Sequence, residues 1–368
     1  MKTKKRKIIL LSCVIASVII GAVGSFFAFG GAGILNGDAV ATISNGVFDA
    51  TPTDETPTRT ITLGSLTLSG TNTHITVNSS TAVVLYNCTI SGSSSHAIVV
   101  NGGTLSFGGG TTVSGCSGQC AVQVSGGIFN MGTGEIYNNS FGGVYVASGA
   151  VFNFSDGEIY NNGNSQHAEI AGVYNAGTMT MSGGEIYNNT TYHSNNGGGI
   201  YSTGSLALSG GKIYGNNADT GAGVRVAGGA FSMTGGQIYS NNSLNYGGGI
   251  YTTVSLSLSG GKIYGNTAGT GGGVCVGGGT FSMTGGQIYG NTAENGAEIA
   301  TSGSGSVSIT GGTISPTAPS GNSMRADVDI YSPQSNENSF DYILSETLYI
   351  PSYNNSNIVS EENEKYIN

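Results

Sequence analysis

Between Gly199 and Ala297 the chain writes one unit of about fifty residues twice, and each copy divides again into two similar halves. A fixed period in this range is the signature of a solenoid, in which each repeat buries its apolar face only against its neighbours. The anchor of the repeat is an aliphatic residue followed by Tyr and, three places on, by Asn. It recurs at Ile136, Ile159, Ile186, Ile213, Ile238, Ile263 and Ile288, with gaps of 23, 27, 27, 25, 25 and 25 residues. Ile314 continues the series without its Tyr and Asn, and Val113 and Ile90 extend it backwards in 23-residue steps. Ten anchors imply roughly ten turns.

Each turn holds three short apolar alternations, for example Gly-Ile200-Tyr, Leu206-Ala-Leu208 and Ile213-Tyr, separated by Gly-Gly, Gly-Asn or Asn-Asn. Strict alternation is the strand signal, with one face buried and the other exposed. The breaks are residues that tolerate positive φ. With 65 glycines among 368 residues, and Ser, Thr and Asn filling much of the rest, no long amphipathic helix is available to the repeats. Three strands and three turns in about 25 residues describe one rung of a parallel β-helix. The expected fold is therefore an all-β solenoid, preceded by an N-terminal apolar helix.

The organisation along the chain follows from composition. Residues 2–7 carry five of the eleven basic groups, and residues 8–35 are uncharged and apolar or small. Residues 1–41 thus read as a signal peptide or a membrane anchor: the length suits an anchor, and Ala39-Val40-Ala41 suits cleavage. Residues 42–59 alternate Pro and Thr with acids and read as an extended linker. The β-helix is expected over 60–320, a C-terminal cap over 321–353 and a polar, acidic tail over 354–368. The cell membrane with an extracellular rod, or secretion, is the expected location.

After residue 7 the chain holds six basic against twenty acidic groups, a balance of −14. No basic stripe exists to neutralise phosphates, so nucleic acid is not an expected partner. Five cysteines are present: Cys13 in the apolar run, and Cys88, Cys116, Cys120 and Cys275 in the rod. Cys116 and Cys120 flank a Ser-Gly-Gln turn and read either as a local disulfide or as small residues of the solenoid wall. Cys275 takes the place of Arg225 in the other copy, a position read as outward.

Stacking converts repeated positions into rows. The Asn residues at 139, 162, 189, 216, 241, 266 and 291 predict a ladder inside a turn, each amide bonding backbone and the next rung. Tyr137, Tyr160, Tyr187, Tyr214, Tyr239, Tyr264 and Tyr289 predict an outward row of rings, either a packing ladder or a surface for a glycan or protein partner. Glu135, Glu158, Glu185, Lys212, Gln237, Lys262 and Gln287 form a third row. Its three successive carboxylates raise the question of calcium, but the nonapeptide that marks calcium-binding β-helices is missing. No cofactor is expected.

The motifs GGGI at 197–200 and 247–250, GAGV at 221–224, GGGV at 271–274 and FGGV at 141–144, with Ile-x-x-Asn once per turn, carry a resemblance. Together they resemble the Gly-Gly-Ala-Ile and Phe-x-x-Asn repeats of chlamydial polymorphic outer-membrane proteins, and are similar to the β-helix passengers of bacterial adhesin-like surface proteins. The resemblance covers about residues 80–320. It implies a right-handed parallel β-helix displayed at a cell surface and used for attachment. Ile stands where that family has Phe, and no barrel-like segment follows the rod, so anchoring is expected from the N-terminal segment.

The chief rival is a polysaccharide-degrading β-helix enzyme, which needs clustered carboxylates or a metal beside a base. Asp156 and Glu158 are the best acid pair, while His74, His96, His167 and His193 lie on different turns and read as loop residues. Near-identical repeats also argue against a site, which needs one turn to differ, and no catalytic residue is expected. An ice-binding or purely structural rod is a third reading, its flat face carrying Ser205, Ala207, Ser232, Ser257 and Ser282, mostly Ser rather than a Thr array. The basic start followed by an apolar run predicts that the C-terminus lies outside the cell. Protease added to intact cells should digest residues 354–368; protection that disappears only on lysis contradicts this orientation.

Overall fold

The computed structural model describes residues 59–315, apart from 65–66, 72–73, 80, 164–170 and 192–196, together with the backbone of short strands at Gly33–Leu35, Ala39–Ser44, Val47–Pro52, Ile330–Tyr331, Val359–Ser360 and Lys365–Tyr366. The apolar segment up to residue 32, where the N-terminal helix is expected, lies outside the described residues. So do most of the cap and the tail, and His167 and His193. Among the described residues no helix is long and apolar enough to cross a membrane.

The described chain is an all-β parallel solenoid of about nine turns. The ten anchors expected from the sequence bound nine full turns rather than ten. Every turn pairs in register with the next: Ile136 opposes Ile159, Ile159 opposes Ile186, Ile186 opposes Ile213, and the series runs on to Ile314. Leu68, opposite Ile90, adds an anchor 22 residues before it, one step beyond the series read from the sequence. Towards the N-terminus, Val47–Ala50 pair in parallel with His74–Val77, and Ala39–Ser44 turn back antiparallel on Val47–Pro52. His74 opens a strand rather than lying in a loop.

Each rung has three faces along most of the rod. One turn shows them as Ile200–Ser202, Ser205–Leu208 and Lys212–Tyr214. From the first strand Ile200 and Ser202 point inward, from the second Leu206 and Leu208, and from the third Ile213. Stacking repeats these choices, so the interior is a set of columns. The Ile column is closed to solvent, and beside it run Phe129, Phe152 and Phe154, then Met, Leu and Phe in turn. The Phe129 and Phe152 rings stack at 4.9 Å.

A fourth strand per turn, missing from the expected three, appears in the last turns: Asn217–Thr220, Asn242–Tyr246, Thr267–Thr270 and Thr292–Asn295 form their own parallel sheet. These are the polar stretches that follow the ladder Asn. They lie in loops of seven or eight residues, against ten in the two turns before, and pair with an irregularity in register where Asn242–Tyr246 carries one residue more. The loop that follows Asn189 forms no named strand among its described residues, but Thr190 makes a single parallel bridge to Asn217.

The Gly-Gly corners allow the faces to meet. The second glycine of each pair is left-handed, with φ of 78° at Gly211, 81° at Gly236 and 89° at Gly261. A Cβ on Gly211 would also lie 2.5 Å from both Met181 Cε and the Gly183 carbonyl, so only glycine fits the corner. The central test of this packing is Ile238→Asp, which buries an unpaired charge between Ile213 and Ile263. It is expected to cost about 3–5 kcal/mol. A thermal melt matching the parent would show that Ile238 does not point inward.

Candidate functional site

The four-residue motif Ile-Tyr-x-Asn builds one face of the rod. Ile points inward, so period 2 turns Tyr outward. The next residue is left-handed: Asn138, Asn161 and Asn188 at φ of 53–54°, Gly215 at 63°, Ser240 at 53°, Gly265 at 61° and Gly290 at 60°. That reversal turns the following Asn back inside. Asn and Gly are the residues that accept this conformation most readily, and Ser240 is the one departure.

The inward Asn residues form the expected ladder. Asn216 Nδ2 donates to Asn241 Oδ1 at 2.9 Å and to the Ile186 carbonyl of the turn before at 3.1 Å, and its backbone N–H donates to the same Asn241 Oδ1. Each amide thereby ties three consecutive turns. At the far end the carboxylate of Glu298, 1% exposed, replaces the next amide oxygen. It accepts from Asn291 Nδ2 at 2.6 Å and from the Asn291 backbone N–H at 3.3 Å. Sequence reasoning missed this end stop; the signal available was a Glu directly after GA, where the preceding turns have GGGV, GGGI and GAGV. The ladder is structural.

The seven predicted tyrosines lie in one row, half-exposed. Consecutive rings stack at 4.9–5.1 Å with interplanar angles of 4–6° from Tyr137 to Tyr289. The faces of the rings cover one another, so the row offers solvent a ribbon of ring edges roughly 30 Å long, six steps of rung spacing. The hydroxyls reach back across one turn to the row beside them. Tyr160 donates to Glu135 at 2.8 Å, Tyr187 to Glu158 at 2.7 Å, Tyr214 to Glu185 at 2.8 Å and Tyr264 to Gln237 at 2.9 Å. Lys212 closes a salt bridge to Glu185 at 2.7 Å.

These contacts set the electrostatics of the face. Burial, then the hydrogen bond to a carboxylate, pushes Tyr160, Tyr187 and Tyr214 well above the ordinary tyrosine range. Burial raises Tyr239, Tyr264 and Tyr289 as well. The hydrogen bond from Lys212 holds Glu185 below the usual carboxylate range. Next to the charged row runs an open groove of about 690 Å³, floored by the Gly-Gly corners and edged by Lys212, Gln237, Lys262 and Gln287. No group of three or more potential metal-ligating side chains exists among the described residues.

A second outward row, not anticipated, lies on the first face of the rung. Tyr145, Tyr174 and Tyr201 are followed by Arg225, whose guanidinium lies 5.6 Å from the Tyr201 ring and 5.5 Å from Tyr251. The sequence spells it as Val/Ile-Tyr-x, without the Asn that made the first row visible. Cys275 follows Tyr251 in this row and leaves the strand on the outer side, as expected, but it is buried. The turn at Gly271 closes over it, and its Sγ rests 3.6 Å from Ser302 Oγ. Cys116 and Cys120 are both free and buried rather than disulfide-linked. The His96 imidazole Nδ1 lies 3.4 Å from Cys120 Sγ, but burial lifts the Cys120 thiol to about 12 and the Cys116 thiol to about 11, so neither is an activated nucleophile at neutral pH. Asp156 is tied to the Gly157 N–H and Glu158 to Tyr187.

No family model, no curated protein and no solved structure matches this chain.

The raised tyrosines carry a pH prediction. In the unfolded chain they ionise near 10; in the rod they ionise higher. Their contribution to stability is whole below about pH 10 and is lost as pH rises through the folded values. Absorbance titration should therefore show tyrosinate forming later in the native rod than in denaturant, with unfolding in strong alkali. Coincident native and denatured titrations would show that the hydroxyls are not held by the row.

Proposed function

We propose that this chain is a right-handed parallel β-helix, displayed on a cell surface or secreted, that acts in attachment, and that the tyrosine row is its contact surface for a glycan or protein partner. Right-handedness is the sense that parallel strand crossovers adopt almost always. The observation that carries the proposal is the row itself: seven half-exposed rings in register on a surface otherwise made largely of Gly, Ser, Thr and Asn. Small side chains contribute little binding energy, whereas each Tyr contributes a large area at low entropic cost. The ring faces are used up in stacking, so a partner meets edges and hydroxyls arranged in a line. That arrangement suits an extended ligand or another long surface better than a compact molecule.

Under this reading the basic and apolar N-terminal stretch holds or exports the rod, and the row is presented lengthwise. Changing Tyr214, Tyr239, Tyr264 and Tyr289 together to Ser leaves the Ile column untouched, and the variant should keep its β-sheet circular dichroism. Adhesion of beads carrying the rod should fall by about tenfold or more, as expected when aromatic contacts dominate an interface. Undiminished adhesion by the folded variant would reduce the row to a packing ladder.

A further inference from the structure

We propose that the partner of the tyrosine face is a second copy of this chain, docked antiparallel on the same face; the inference rests on the attachment reading and names its partner. A charged row runs beside the tyrosines. Rung by rung it reads Glu135, Glu158 and Glu185, then Lys212, Gln237 and Lys262. One half of the stripe is acidic and the other basic or neutral, so the face is polarised along the rod.

Some of these charges are answered within the chain and some are not. Glu185 and Lys212, at the midpoint, pair with each other. Glu135 has Thr112 and the Glu158 carboxylate on the adjacent rungs of the row, and neither is a cation. Lys262 is exposed and has only Gln237 and Gln287. Neighbouring like charges cost energy that an opposite charge from outside would relieve.

A two-fold axis lying in the face, perpendicular to the rod and between the turns of Glu185 and Lys212, supplies that relief. It leaves each row opposite itself with its order reversed. Glu185 then meets the Lys212 of the second copy, Glu158 meets its Gln237, and Glu135 meets its Lys262. Every contact occurs twice, as in any isologous dimer. The same operation sets Tyr187 against Tyr214, Tyr160 against Tyr239 and Tyr137 against Tyr264, so two ribbons of ring edges meet in step. Parallel docking in register instead sets Glu against Glu. Rods projecting from two facing surfaces overlap antiparallel, so this geometry is the one that attachment between like surfaces requires.

The test uses the full chain, in solution and coupled to beads. Glu135→Lys and Lys262→Glu each place like charges against each other twice in the antiparallel pair, and each should weaken self-association by about tenfold or more. An equimolar mixture of the two variants matches opposite charges at both places and should restore association and bead clustering. Raised salt should weaken the wild type. Failure of the mixture to restore association overturns the inference, as does a wild type that stays monomeric at about 100 µM in low salt. Beads that bind a foreign surface through their tyrosines but never one another overturn this inference alone. Beads whose adhesion and clustering both survive the quadruple Tyr→Ser change overturn the attachment reading itself.

Discussion

The structure depends on register between successive turns. Each backbone strand of one turn donates to and accepts from the turns on either side, and a slip of one residue would move every inward side chain to the outside. The Asn ladder pins that register. Because each amide donates to the next amide oxygen and to a carbonyl of the previous turn, and the backbone N–H of the same Asn donates to that next amide oxygen too, it tolerates neither a shift along the strand nor a change in rung spacing. Buried polar groups are costly when unpaired, so the ladder must be continuous and must end on a partner. The Glu298 carboxylate supplies that end.

Once register is fixed, the surface becomes a set of lines. A choice made at one position in each turn appears as a stripe along the rod, at rung spacing. Tyrosine at such a position has little freedom: at 4.9–5.1 Å its rings lie face to face, and the hydroxyls find the row alongside. The stripe is therefore a packing element whose ring faces cover one another while the edges stay at the surface. The row of Glu, Lys and Gln varies from turn to turn where the Ile and Asn columns do not, and that variation gives the face a direction. A solenoid whose turns were identical would have no such polarity.

The glycines have a narrower role than their number suggests. At corners such as Gly210-Gly211 they bring successive turns close enough for the stacking to continue around a bend, where a Cβ would collide with the carbonyl of the turn below. Elsewhere, as at Gly271, they let the loop fold down over the first face and bury what the alternation leaves outward. The depth of Cys275 follows from that cover, whereas Arg225 lies between two rings because Tyr201 and Tyr251 flank it in the row.

The sequence by itself determined the solenoid, the inward Ile column, the Asn ladder and the tyrosine row, because each is a strict repeat and stacking maps period directly onto space. Where the repeat is imperfect, the tertiary structure decided. The fourth sheet forms where the loops after the ladder Asn have shortened to seven or eight residues. The Arg225 row follows the GGGI, GAGV and GGGV motifs, but its residue changes from Tyr to Arg to Cys, so only the stacked positions show it as a row. Cys275 was assigned outward by alternation, which describes a strand in isolation and does not account for a loop that closes over it. The direction in which the rings face, and hence that they offer edges rather than faces, is set by the distance between turns. That distance belongs to the stacked backbone and is written in no single repeat.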